Sequence, residues 1–197
     1  MGLRIFAYRP GEVKEVSRAE YPLSEGYNKW VSVIQPEQDE LEWIFSTFSL
    51  HPLVVEDILS KNDPPKADEY AGYTFIITDA AAIEEERATI HKIFLILGKD
   101  FLVSITDLWD VVRDLETRLI NRSNTIGDTG PDYLAYSFID RATDSFYPVM
   151  DGIEDVIEDV EEEVIESIDS EVLVRMSEAR RDLLTLWKSA CRRSRCR

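Results

Sequence analysis

The feature that most constrains this chain is an acidic segment, residues 151–171, that has the apolar spacing of a helix. Eleven of its 21 residues are Asp or Glu and none is Lys or Arg, so it supplies 11 of the 17 units of formal net negative charge. Between the acids, apolar residues recur every three or four positions, at Ile153, Val156, Ile157, Val160, Val164 and Ile168. We therefore predict a helix that packs along one face and carries carboxylates along the other.

A basic segment follows the acidic one, with eight Lys or Arg residues among residues 175–197. We expect two antiparallel helices, joined near Asp169 and Ser170, whose opposite charges partly cancel. Like charges four residues apart destabilise a helix by a few tenths of a kcal/mol per pair. The acidic helix therefore needs compensation from bases on neighbouring helices, from divalent cations, or from a basic surface on another molecule.

The residues before about 130 alternate between short strands and short helices. Apolar and β-branched runs predict strands at residues 3–8, 12–16, 30–34, 73–78, 89–97 and 101–105. The last three are joined by short connections and should form an antiparallel meander. Helical stripes occupy residues 41–48 and 53–59, and the His51–Pro52 pair separates them.

From Trp109 onward the pattern is helical. We predict one helix from Trp109, a long helix over residues 132–168 with a kink at Pro148, and a last helix over residues 170–190. A strand-rich part followed by a helical part predicts the α/β (α+β) class with a helical extension.

Composition excludes several classes of partner and location. A net charge of −17 should repel nucleic acid and anionic lipid, which makes a cation the natural ligand. The longest apolar run is far shorter than the roughly 20 residues that cross a bilayer. Both cysteines lie in the last seven residues, so no disulfide framework is expected. These features are typical of a soluble cytosolic chain.

Catalytic motifs are absent from the sequence. There is no phosphate-binding glycine loop, no nucleophile elbow and no zinc-binding spacing of Cys and His. We therefore expect no enzyme. Two alternatives stay open at this point: a stand-alone metal-dependent hydrolase that uses Glu56 and Asp57 with further carboxylates, and an acidic protein-interaction module.

Six segments, in order, resemble the CorA family of magnesium and cobalt transport proteins. The first is residues 50–59, with the sequence LHPLVVEDIL, which resembles a signature of the family's cytosolic domain. The others, in the same order as in the family, are residues 65–76, 94–105, 110–113, 132–140 and 161–164. The last of these resembles the acidic "willow" helix of the family.

The resemblance implies a fold and a place in a larger assembly. It implies an α/β/α sandwich over residues 1–130 with a mixed, largely antiparallel sheet, a long acidic helical hairpin over residues 131–190, and an atypical tail over residues 191–197. Family members are homopentameric membrane channels for Mg²⁺ that also pass Co²⁺ or Ni²⁺. The chain should then be a fragment at the cytoplasmic face of the membrane, lacking the stalk and transmembrane helices, and could be monomeric alone.

The resemblance also implies a regulatory metal site between subunits. Glu56 and Asp57 of one subunit should face an aspartate on a neighbour's stalk helix, and that aspartate is absent here. Asp140 matches a further member of the site, and Asp144, one turn on, is a weaker candidate on the same helix face. Mg²⁺ bound there would favour the closed channel, with an affinity of order millimolar. The resemblance fits a related zinc-transporting branch of the superfamily equally well.

Overall fold

The structure, a computed structural model, describes residues 2–21, 26–121, 125–166 and 170–193. Its strands are β1 (Gly2–Arg9), β2 (Glu12–Val16), β3 (Asn28–Ile34), β4 (Lys66–Tyr70), β5 (Tyr73–Glu84), β6 (Arg87–Gly98) and β7 (Phe101–Thr106). They form one sheet in the order β2-β1-β3-β7-β6-β5-β4. The β3–β7 pair is parallel and the other neighbouring pairs are antiparallel.

The predicted meander is confirmed as β5, β6 and β7. β5 pairs with β6 along its whole length, from Tyr73 opposite Gly98 to Glu84 opposite Arg87. Only Glu85 and Glu86 join the two strands, and their φ angles of 50° and 63° are both left-handed. Two-residue turns of this kind match the right-handed twist of the strands that they connect.

Helices cover both faces of the sheet. α1 (Gln38–Thr47) and α2 (Pro52–Ser60) pack on one face, and α3 (Trp109–Ile120) and α4 (Pro131–Asp144) pack on the other. Because side chains of a strand alternate between faces, Phe94 and Ile96 of β6 contact the α1–α2 layer, whereas Ile93 and Leu95 join the core beneath α3 and α4. The predicted α/β/α sandwich with a mixed, largely antiparallel sheet is confirmed.

Trp30 links the central strands to the α3–α4 layer. Its ring is fully buried between Phe6 and Phe138, with centroid separations of 5.4 and 5.7 Å. Its indole N–H, the only polar group of the ring, donates a hydrogen bond to Ser104 Oγ of β7 at 2.9 Å. This hydrogen bond replaces the one to water that the N–H loses on burial.

The acidic segment forms one arm of a helical hairpin. α5 (Phe146–Glu166) and α6 (Ser170–Arg193) pack on the projecting ends of β5 and β6 through Ala81, Val149, Ile153 and Leu186. The predicted joint at Asp169 lies outside the described residues. The helical hairpin therefore extends from the sandwich at the end of the longest strand pair.

The predicted long helix over residues 132–168 is present as two consecutive helices, α4 and α5, which meet at Ser145. Ser145 itself keeps right-handed helical backbone angles, so the irregularity lies three residues before Pro148. A proline lacks an N–H and its ring crowds the carbonyl four residues earlier, which here belongs to Asp144, the last residue of α4. The pattern does not predict β4, a charged edge strand that pairs only with β5.

The predicted division of the chain at residue 130 stays a prediction. α4 lies after that boundary but packs on the sheet, through Leu134, Phe138 and Ala142. α6 continues to Arg193, and residues 194–197 of the predicted tail lie outside the described residues.

Candidate divalent-cation site

Local sequence fixes both ends of α2, the helix that carries the first two candidate ligands. His51 caps the N-terminus, because its Nδ1 accepts a hydrogen bond from the Leu53 N–H at 3.2 Å, and Pro52 fills the first helical position. At the other end, Lys61 has a left-handed φ of 55° and its N–H donates to the Asp57 carbonyl at 3.0 Å. The helix is therefore short, with both of its ends defined by local hydrogen bonds.

Glu56 lies on the side of α2 that faces away from the core, whereas Asp57 is directed toward Lys66 of the edge strand β4. Val54 and Ile58 are buried against the sheet, which leaves Glu56 exposed and Asp57 partly exposed, with 13% of its side chain accessible. A cation could reach Glu56 directly. Asp57 is already engaged, since its Oδ2 lies 2.7 Å from the Lys66 ammonium.

Lys66, the first residue of β4, is surrounded by three carboxylates. Besides Asp57, it lies 3.2 Å from Asp68 Oδ2 and 4.0 Å from Asp63 Oδ1. Burial opposes the charged ammonium, but the contacts and charges of Asp57 and Asp68 outweigh that effect and raise the pKa of Lys66. Burial, followed by the neighbouring Asp57, raises the pKa of Asp63. The edge beside α2 is therefore a charged cluster in which one base serves three acids.

Asp140 and Asp144 lie on the outer face of α4, and both are exposed. Their spacing of four residues places them on one side of the helix, as predicted. The intervening Arg141 points elsewhere, to an ion pair with Asp114 of α3. Both candidate carboxylates are thus accessible at the surface.

The two pairs of candidate ligands lie on opposite faces of the sheet. α2 belongs to one layer and α4 to the other, so one chain does not bring Glu56 and Asp57 together with Asp140 and Asp144. Among the residues that the structure describes, no three His, Cys, Asp or Glu side chains are grouped so as to hold a metal ion. Carboxylate oxygens are ligands that Mg²⁺ takes, so each pair fits part of a coordination shell, and a full site needs groups from elsewhere.

The helical hairpin neutralises part of its own charge. Arg175 of α6 forms an ion pair with Glu163 and lies 3.5 Å from Asp159, both on α5. Arg87, at the start of β6, makes a two-pronged contact with Asp182 of α6, with its closest atoms 2.8 Å apart. The expectation that neighbouring bases offset the acidic helix is met at Asp159 and Glu163, the two acids that Arg175 contacts.

A cavity of about 670 Å³ lies between the β5–β6 end and the helical hairpin. It is lined by apolar side chains such as Val149 and Ile153 together with the Arg87–Asp182 pair, and by none of the four candidate ligands.

Across the described ranges, no helix combines the length and apolar character needed to span a membrane.

Sequence reasoning missed Lys66 and its three acidic neighbours as one cluster. Asp63 and Lys66 lie within ten residues of Asp57, and that proximity was the available signal. The cluster forms because β4 pairs with β5. Since the sequence pattern did not predict β4, it did not predict the cluster either.

The chain is similar in sequence to proteins that are named as metal-ion transporters. The model of the family described as CorA-like Mg²⁺ transporter protein matches residues 25–195. The cobalt/magnesium transport protein CorA of Thermotoga maritima is 30% identical over 167 residues, which cover 81% of this chain and 47% of that protein. The chain spans about half the length of the curated relatives of this kind.

Two solved structures from Methanocaldococcus jannaschii have the same fold. The soluble domain of its CorA has a TM-score of 0.79 at 20% identity, covering 97% of this chain and 75% of that one. The complete CorA magnesium transporter has a TM-score of 0.79 at 18% identity, covering 96% and 59%. At these identities the likeness establishes the fold alone.

Proposed function

Because the chain belongs to the family of CorA-like Mg²⁺ transporter proteins, we propose that it is the divalent-cation-sensing part of a Mg²⁺/Co²⁺ transporter. In this proposal Mg²⁺ binds between copies of the chain, with Glu56 and Asp57 of one copy and Asp140 and Asp144 of the next supplying carboxylates. Bound Mg²⁺ favours the closed state of the whole transporter, and this part lies at the cytoplasmic face of the membrane. The family match is the observation that carries the proposal.

The placement of the two acidic pairs supports a site shared between copies. A contact between opposite faces of successive copies uses two different surfaces, so it is a heterologous contact. Such contacts close into a ring when the rotation between copies allows it. The homopentamer implied by the family resemblance is a ring of this kind.

Charge supplies the mechanism. Each copy carries a formal net charge of −17, so acidic surfaces of neighbouring copies repel each other. Mg²⁺ keeps several of its waters and takes few carboxylates, so it suits a shallow site between two such surfaces. An ion that binds only the packed arrangement stabilises that arrangement according to its concentration. A fall in Mg²⁺ restores the repulsion, and the copies separate or shift.

Association of the chain under Mg²⁺ titration tests this proposal. We expect sedimentation velocity to show Mg²⁺-dependent assembly at millimolar concentrations, and no assembly with KCl at the same ionic strength. Glu56→Gln with Asp57→Asn, or Asp140→Asn with Asp144→Asn, should abolish the response. An equimolar mixture of these two double variants should recover a dimer and no ring, because only one kind of contact remains intact.

A matched control keeps the charge change and moves it away from the candidate ligands. Glu42 of α1 and Asp110 of α3 are exposed acids, one on each helical layer. The variant Glu42→Gln with Asp110→Asn should assemble as the unchanged chain does. Site variants that assemble normally, or a chain that stays monomeric at every Mg²⁺ concentration, would contradict the proposal.

The two alternative functions have less support. A metal-dependent hydrolase needs converging ligands, and the candidate acids are divided between two faces of the sheet. The relatives with which the chain aligns are named as transporters. An interaction module would present a bare acidic helix, whereas Asp159 and Glu163 of α5 are already paired with Arg175.

A further inference from the structure

Asp57 is a candidate ligand whose charge is already partly satisfied inside the chain. Its Oδ2 has no accessible surface and lies 2.7 Å from Lys66 Nζ, so this oxygen faces the ammonium and not the solvent. We propose that Lys66 is a built-in competitor of the divalent cation for Asp57 and thereby sets the cation concentration at which Asp57 is captured. This inference rests on the proposed function, which assigns Asp57 as a ligand.

The competition follows from the position of the ammonium. An oxygen that faces Lys66 at 2.7 Å must turn outward, or share its charge, before a cation can use it. A fixed positive charge so close also repels an approaching dication. Both effects raise the cation concentration that is needed to load Asp57.

The cluster gives Lys66 somewhere to go when Asp57 is captured. Asp68 Oδ2 lies 3.2 Å and Asp63 Oδ1 lies 4.0 Å from the same ammonium. A lysine has a flexible four-carbon stem and a compact charge, so a small rotation transfers it from one acceptor to another. The Lys66 ammonium therefore stays paired with a carboxylate both before and after a cation binds Asp57, and neither state has an isolated charge.

Without the ammonium, the same residues would present uncompensated acids beside Glu56. The affinity of carboxylate sites for divalent cations rises with the number of ligand charges. A site without its internal counter-ion would therefore stay loaded at lower Mg²⁺ and would no longer respond to changes in the millimolar range. In this proposal Lys66 is not itself a ligand, and it sets the Mg²⁺ concentration at which the site is half-saturated.

Substitution of Lys66 tests the inference on the chain of residues 1–197. The variant Lys66→Met keeps most of the side-chain volume and removes the charge, and Lys66→Arg keeps the charge. We expect Mg²⁺ titration, followed by NMR of the backbone amides of residues 56–58, to give a half-saturating concentration on the order of tenfold lower in Lys66→Met. The Lys66→Arg variant should stay close to the unchanged chain, and Asp57→Asn should remove the response in both backgrounds.

The outcomes separate this inference from the proposed function. An unchanged midpoint in Lys66→Met, with the response lost in Asp57→Asn, overturns the role of Lys66 and leaves the proposed site standing. A response that survives Asp57→Asn removes the proposed site and this inference together. If neither the unchanged chain nor Lys66→Met binds Mg²⁺ near Asp57, the inference is also overturned.

A second measurement covers the case in which Lys66→Met does not fold. In the unchanged chain, the side-chain methylene signals of Lys66 should shift with Mg²⁺ at the same midpoint as the amides of residues 56–58, because the ammonium changes partners. Lys66 signals that stay fixed while those amides titrate would show that the ammonium does not compete.

Discussion

The anchor that holds α6 to the sheet gives a sharp prediction for Ser189. Its Oγ donates to Asp79 Oδ2 at 2.6 Å, and both residues are buried. Lys92 Nζ lies 2.6 Å from the other oxygen of the same carboxylate, so Asp79 stays compensated when the serine hydroxyl is removed. The variant Ser189→Ala therefore tests one hydrogen bond between α6 and β5 without leaving a buried charge alone.

The expected loss follows from two opposing effects. A hydrogen bond to a charged group contributes about 1.5–3 kcal/mol. Alanine is a better helix former than serine by about 0.5 kcal/mol, which offsets part of the loss. We expect Ser189→Ala to lower the free energy of unfolding by about 1–2.5 kcal/mol. The exposed Ser177 of the same helix provides the control, since Ser177→Ala has only the favourable helix effect.

Urea unfolding followed by far-ultraviolet circular dichroism measures both variants. The midpoint should fall in Ser189→Ala with the m-value unchanged, because the surface exposed on unfolding is the same. Native-state hydrogen exchange should show the loss first in the amides of α6, since a local anchor controls local opening. If Ser189→Ala were as stable as Ser177→Ala, the hydrogen bond to Asp79 would not hold α6, and the apolar contacts of Leu186 and the Arg87–Asp182 ion pair would do so without it.

Two further substitutions, Trp30→Ala and Tyr8→Phe, test the sandwich core. Trp30→Ala should lower the free energy of unfolding by about 3–5 kcal/mol, because it empties the space between Phe6 and Phe138. The control Trp187→Ala removes a residue that is 63% exposed and should cost under about 1 kcal/mol in the same urea titration. Equal losses in the two variants would contradict the packing of Trp30. The Tyr8 hydroxyl is buried and has no hydrogen-bond partner among the described residues, and burial, followed by the charge of a nearby aspartate, raises the pKa of this phenol. Because the folded-state pKa lies above the unfolded one, the stability linked to Tyr8 is present below pH ~10 and lost as the pH rises through the folded-state value. Tyr8→Phe should therefore leave the free energy of unfolding at neutral pH unchanged or raise it by up to about 1 kcal/mol, and should reduce the decrease in that free energy at alkaline pH. Unfolding curves that coincide with those of the unchanged chain at both neutral and alkaline pH would refute this.

The sequence predicts the sheet and its layers well because their signals are local. β3 and β7 are β-branched runs with clear boundaries, and the short turns of the meander allow only antiparallel pairing. α2 is predictable for the same reason, since the His51–Pro52 pair fixes its start within two residues. These elements are specified by the residues that they contain.

The strand that the sequence pattern missed depends on a distant partner. β4 has three charged residues among its five and becomes a strand because β5 offers a free edge. The junction of α4 and α5 at Ser145, in contrast, has a local cause, because the ring of Pro148 crowds the carbonyl of Asp144 four residues earlier. The Ser145 hydroxyl then donates to the Ala142 carbonyl and accepts from the Ala81 N–H, which fixes the break against β5.

The candidate site illustrates the same division between local and distant information. The family resemblance selects Glu56, Asp57 and Asp140, and helical spacing adds that Asp144 shares one helix face with Asp140. Their division between two faces follows from topology, because α2 leads into the edge strand β4 on one side of the sheet, whereas β7 leads into α3 and then α4 on the other. A sheet filled on both faces with apolar side chains does not let a cation reach both pairs in one chain. If these four carboxylates share an ion, copies of the chain must therefore meet face to opposite face, and a variant that loses one acidic pair must still offer the other to an intact neighbour.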